Sequence, residues 1–159
     1  MLLRILKRFL KNKILVDTGA LLEYFKLILG SRYNKLNERQ QNKFVLFNEL
    51  FKARDLSIIP QVLAELYALL KRDAKNSLSQ IRHWLELLED PYLTLLKELY
   101  IPKEEILREK NYLDFGFTDI ALMKALDNDN FLLTTDTKLI ILCRNKGFEA
   151  HHIEEIFVF

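Results

Sequence analysis

The clearest pattern in the chain is an apolar run that stops on a carboxylate: Ile14, Leu15 and Val16 are followed at once by Asp17, Thr18 and Gly19. Such a run reads as a strand buried on both faces, as in a parallel sheet covered by helices. Thr18 and Gly19 make the turn, and Ala20 to Leu29 has the composition of a helix. Phe131 to Thr135 repeats the theme, ending on Asp136 before a helix expected over Lys138 to Lys146, with Gly147 as its cap. Between them Gly30 to Asn37 reads as a polar loop, and Glu38 to Lys52 as a helix with Phe44, Phe47, Leu50 and Phe51 near a 3.6-residue period. Asp55 to Ile59 is a short strand closed by Pro60, which suits the first turn of a helix running from Gln61 to about Arg72. Helices are also expected from about Ser79 to Leu88, from Pro102 to Lys110 and from Phe117 to about Asp127, with a last strand over Phe148 to Ile153. Tyr92 to Tyr100 is thin in β-branched and aromatic residues and is expected to hold only a short strand. This alternation predicts an α/β protein, a parallel sheet with helices on both faces.

Composition narrows the picture modestly. A chain of 159 residues with 4 Gly and 3 Pro suits one helix-rich domain with few loops, and it contains no internal repeat, linker or low-complexity segment. Cys143 is the sole cysteine, which excludes an internal disulfide framework and a cysteine-based zinc site within one chain. A reducing, cytoplasmic setting is expected. Arg4, Lys7, Arg8, Lys11 and Lys13 supply +5 of a chain whose net charge is +2, so the remainder nets −3. Residues 1–12 are therefore read as a basic amphipathic extension and 13–159 as the folded domain. Met1 to Leu10 is too short and too charged for a spanning helix or a secretory signal, and packing on the domain is its expected role.

The carboxylates carry the candidate chemistry. Asp17 and Asp136 each end an apolar strand, where open α/β sheets collect ligands, although each is equally explained as a helix N-cap. Asp119 is more telling. Leu122, Met123 and Leu126 follow it at i+3, i+4 and i+7, so it falls on the inward stripe of its helix. Thr118 is expected to cap that helix, which leaves a metal or a buried basic residue to account for an inward carboxylate. Glu65 lies at the edge of the apolar face formed by Val62, Leu63, Leu66, Leu69 and Leu70, which suits a cleft-lining group but, taken alone, favours an ordinary solvated glutamate. Oxygen donors without a Cys or His cluster select Mg²⁺ or Mn²⁺, ions that handle phosphates.

Four segments, Ile14 to Leu22 (ILVDTGALL), Pro60 to Leu66 (PQVLAEL), Phe117 to Leu126 (FTDIALMKAL) and Leu132 to Leu139 (LLTTDTKL), together resemble a PIN domain, the nuclease fold of VapC-type toxins. The resemblance covers about Lys13 to Phe159. It matches Asp17, Glu65, Asp119 and Asp136 to the family's acidic set, Thr134 to the hydroxyl residue two positions before the last acid, and Thr18 to the one after the first. It implies a three-layer α/β/α fold with a five-stranded parallel sheet in the order 3-2-1-4-5, and Mg²⁺- or Mn²⁺-dependent cleavage of RNA. It also implies a homodimer and, for toxins, a small antitoxin protein whose apolar segment fills the groove. Two features depart from the pattern: the basic extension is long for such toxins, and Pro60 opens the Glu65 helix where a hydroxyl residue is common.

Metal-assisted phosphodiester hydrolysis is the expected chemistry, with Asp17, Asp119 and Asp136 as ligands, Glu65 as ligand or base, and Thr134 placing a ligand or water. Lys138, Arg144, Lys146, Arg32 and Lys35 are candidates to meet a substrate backbone, and Phe115 and Phe117 candidates to stack on bases. His151 and His152 alternate across a strand and cannot share a metal, His83 belongs to another helix, and Cys143 reads as core. Asp114 reads as a solvated loop acid, and Asp127 and Asp129 as turn residues. An Asp-x-Asp phosphotransfer site is excluded because Gly19 stands where the second aspartate belongs. A catalytically silent PIN-like module binding RNA or protein is the other reading.

Overall fold

The structure is a computed structural model describing residue 11 and residues 13–73, 78–89, 96–110 and 112–156. Strand β1 (Lys13–Val16) lies at the centre of the sheet, with Ile14, Leu15 and Val16 wholly buried. It pairs in parallel with β2 (Asp55–Ile58) on one side and β4 (Asn130–Thr134) on the other, Ile14 lying opposite both Leu56 and Phe131. Outside these run β3 (Lys97–Glu98) and β5 (Ala150–His152), both parallel to their neighbours. The five strands thus stand in the order 3-2-1-4-5, flanked by helices, as the resemblance implied. Because all are parallel, the residues that end β1 and β4 share one rim, at the point where chain order reverses across the sheet.

Helix α1 (Thr18–Arg32) is buried on nearly every side, with Ala20, Leu21, Tyr24, Phe25, Leu27 and Ile28 in the core. It runs three residues into the segment expected to be loop. Gly30 is accommodated there because Leu36 folds back against it, where a Cβ would come within 2.2 Å of the leucine Cδ2. Helix α2 (Glu38–Lys52) has the expected bounds, opened by a capping box between Asn37 and Gln40. Tyr24 locks the two helices, its ring 4.9 Å from that of Phe51 and its hydroxyl donating to Asn48 Oδ1 at 2.7 Å.

Helix α3 (Pro60–Asp73) buries Val62, Leu66 and Leu70. Helix α4 (Leu78–Glu86) passes into a 3₁₀ turn (Leu87–Glu89). Helix α5 (Lys103–Leu107) stops short of Lys110. Glu109 then receives Lys124 at 3.1 Å and Lys146 at 3.2 Å, which tie the segment to the helices that follow. A one-turn helix α6 (Tyr112–Phe115), which the sequence pattern did not announce, precedes α7 (Phe117–Lys124). Thr118 is not the cap of α7. Gly116 occupies that place with φ +89°, a conformation that side chains resist, and it makes no side-chain cap bond. α7 also ends three residues before Asp127, whose carboxylate instead accepts the N–H groups of Asp129 (2.7 Å) and Asn130 (2.9 Å) in a turn.

Helix α8 (Thr137–Asn145) ends toward Gly147, at φ +84°, and a 3₁₀ turn (Ile153–Ile156) follows β5. Of the basic extension, residues 1–10 and 12 lie outside the described residues. Lys11 fastens its end to the domain by donating to the Asn130 carbonyl at 2.9 Å. Among the described residues no helix is long and apolar enough to cross a membrane.

Candidate active site

Asp17 is the most deeply held of the candidate acids, 8% exposed at the tip of β1. Its Oδ1 accepts the Thr18 N–H at 2.6 Å, opening α1, and its Oδ2 accepts the Thr134 hydroxyl at 2.5 Å. Thr134, wholly buried at the tip of β4, also accepts the Asp136 N–H on Oγ1 at 2.9 Å, so one side chain ties both strand ends together. Asp136 caps α8 through Oδ1, which accepts from the N–H groups of Lys138 (2.7 Å) and Leu139 (3.0 Å). Both strand-tip acids are therefore helix caps, as the N-cap reading held, while the Thr134 hydroxyl joins one to the backbone of the other.

Glu65 is exposed and accepts the Thr18 hydroxyl on Oε2 at 3.1 Å, which brings α3 to the first turn of α1. Asp119 is half-buried in the first turn of α7, above the fully enclosed Leu122 and Met123.

The charges on these groups are felt mutually. Burial pushes the Asp119 carboxyl up to about 7, with Asp17, Asp136 and Glu65 adding to the effect as like charges. Asp17 is raised as well, chiefly by burial and further by Glu65 and Asp136, against the lowering hydrogen bonds from Thr134 and Thr18. Cys143 lies beneath them in the core. Burial pushes its thiol up to about 12, with Asp119 and Asp17 contributing, so it is no nucleophile. Four acids from four elements thus share one electrostatic neighbourhood. No lysine or arginine among the described residues pairs with any of them.

The donor set fits a hard divalent cation by chemistry, being carboxylates and hydroxyls alone. As the side chains stand, no three His, Cys, Asp or Glu groups among the described residues are placed to hold one ion.

Several other candidates find structural employment. Arg144 donates to the Ala150 carbonyl and to Glu155, and Lys146 is bound to Glu109. His151 sits between Glu149 and Glu155, each at 2.9 Å, and His152 contacts the Thr135 carbonyl instead. Phe117 is 51% exposed at the start of α7, Phe115 is half-buried, Asp114 and Lys138 are exposed, and Lys35 lies over the Tyr33 ring. The sequence reading passed over Thr135, whose only signal was its place between Thr134 and Asp136.

Among solved structures, the crystal structure of PAE2754 from Pyrobaculum aerophilum is similar at a TM-score of 0.57 and 20% identity, covering 91% of each chain. A domain of a functionally unknown protein from Methanocaldococcus jannaschii is similar at a TM-score of 0.44 and 19% identity, over 89% of this chain and 90% of that one. The likeness to the Pyrobaculum protein is one of fold. No family model matches the chain and no curated protein does.

Proposed function

We propose that this chain is a PIN-type ribonuclease, hydrolysing RNA phosphodiester bonds with Mg²⁺ or Mn²⁺ held by Asp17, Asp119, Asp136 and Glu65. The observation that carries the reading is that Thr134 links Asp17 to the Asp136 backbone and Thr18 reaches Glu65, gathering acids whose charges, after burial, raise Asp119 with no cation among the described residues to offset them. Uncompensated like charges at a half-buried site are costly, and a divalent ion is the partner that chemistry of this kind accommodates. When bound, such an ion polarises a phosphoryl oxygen and lowers the pKa of a bound water. Thr134 fixes Asp17, leaving little rotational freedom in the first ligand. Thr18 orients the exposed Glu65, whose carboxylate would take the proton of an attacking water. Asp136 keeps Oδ1 on the α8 backbone, and Oδ2 would be its metal-facing oxygen.

The experiment is RNA cleavage with added Mg²⁺ or Mn²⁺ by the parent and by Asp17→Asn, with circular dichroism as the control for folding. The variant should be folded and inactive; undiminished cleavage would overturn the reading. A silent PIN-like module binding RNA or protein is the second reading, since among the described residues no three His, Cys, Asp or Glu side chains stand placed for one ion. It predicts no cleavage by either protein. The toxin assignment, the homodimer and the small antitoxin partner rest on the resemblance, and a small DNA-binding protein encoded in the neighbouring reading frame is their first check.

A further inference from the structure

Gly19 has no backbone reason to be glycine. It lies in the first turn of α1 without a positive φ, and alanine is preferred inside helices by about 1 kcal/mol. What excludes a side chain is Thr135: a Cβ on Gly19 would stand 2.0 Å from its Oγ1, 3.2 Å from its Cβ and 3.3 Å from its Cγ2. Rotating Thr135 about χ1 moves Oγ1 away but leaves its Cβ at 3.2 Å, tighter than an ordinary contact, so a side chain at position 19 requires the start of the β4–α8 junction to shift.

His152 holds the same residue by its backbone carbonyl. The Glu154 N–H donates to His152 Nδ1 at 3.1 Å, which makes that nitrogen an acceptor and leaves the ring proton on Nε2. Nε2 then donates to the Thr135 carbonyl at 3.1 Å. Thr135 is thereby held between α1 and β5, with Thr134 on one side bound to Asp17 and Asp136 on the other.

We propose that Gly19 and His152 are positioning residues that fix Thr135, and through it Asp136, relative to Asp17, so that the two carboxylates can close on a shared divalent ion. The inference rests on the metal-site reading above and extends it to two residues that touch no ion.

Calorimetric titration of Mn²⁺ alone into the full chain tests it, with Gly19→Ala, the double variant Gly19→Ala/Thr135→Ala, His152→Ala and His152→Gln, and with thermal melting of each as the control for folding. Supporting shells of metal sites commonly carry about 10- to 100-fold in affinity. Gly19→Ala and His152→Ala should each weaken Mn²⁺ by that order. Removing the Thr135 side chain should restore the first, and glutamine, which keeps a donor at the same place, should spare the second. Affinities of Gly19→Ala and His152→Ala within twofold of the parent would overturn the proposal, as would failure of the double variant to recover. If Gly19→Ala does not fold, the alanine and glutamine variants of His152 decide alone. A parent that binds no Mn²⁺ overturns the site reading and this inference together, whereas a parent that binds and variants that match it overturn this inference only.

Discussion

Replacing Asp119 with asparagine should make the metal-free protein more stable at neutral and alkaline pH, although it removes a proposed ligand. The Asp119 carboxyl is raised from 3.8 to about 7 in the fold, by burial first and by Asp17, Asp136 and Glu65 next. Between those two values the folded chain keeps a proton that the unfolded chain gives up, so stability falls as pH rises from about 4 to about 7 and stays low above it. Three pH units at about 1.4 kcal/mol each set a ceiling of about 4 kcal/mol. Asp119 is only half-buried, and screening reduces the expected cost to about 1–2 kcal/mol. An acid in the first turn of a helix favours the fold by about 0.3–1 kcal/mol through the helix dipole, which works the other way and is the smaller effect here. For a chain of this size about 1–2 kcal/mol corresponds to a rise of about 3–6 °C in Tm. Thermal melting of both proteins in EDTA from pH 4 to pH 8 measures it. The two should melt together near pH 4 and diverge with asparagine ahead above pH 7. Asparagine melting below the parent at pH 8, or a difference that ignores pH, would refute the reasoning.

Thr134→Val keeps the shape of a wholly buried side chain but deletes its bonds to Asp17 and to the Asp136 N–H. It should cost about 1.5–3 kcal/mol in denaturant unfolding, the range for a hydrogen bond to a charged group. Leu66→Ala, next to Glu65 on α3 but wholly buried, should cost about 2–5 kcal/mol by the same measurement. Gly147→Ala, at φ +84° with open space around it, should lower stability by about 1–2 kcal/mol through backbone strain alone.

Much of the fold was legible because strand and chemistry coincide. β1 and β4 announce themselves as apolar runs ending on Asp17 and Asp136, and α2 has its expected bounds because Asn37 and Gln40 form a local capping box. What stayed hidden was decided by contacts distant in sequence or too local to leave a pattern. β3 is two exposed residues, Lys97 and Glu98, whose strand character comes from pairing with β2. α6 is a single turn, and α7 opens on a glycine conformation where Thr118 looked the better cap. At the site, residue types and strand tips could be read directly, but neither the Thr134 bridge between Asp17 and Asp136 nor the reach of Thr18 to Glu65 leaves a trace in either local sequence. His152 was set aside as a metal partner of His151, and its hold on the Thr135 carbonyl went unread because it depends on the register of β4 and β5.

The central claim is that carboxylates from separate elements converge on one divalent ion at this rim. Electron paramagnetic resonance of Mn²⁺ added to the purified protein tests it most directly, because free and bound ion are distinguished without any substrate. The parent should deplete the free Mn²⁺ signal in proportion to protein, and the double variant Asp17→Asn/Asp119→Asn should leave it at the level of buffer. Equal depletion by both proteins would place any bound ion elsewhere and contradict the account.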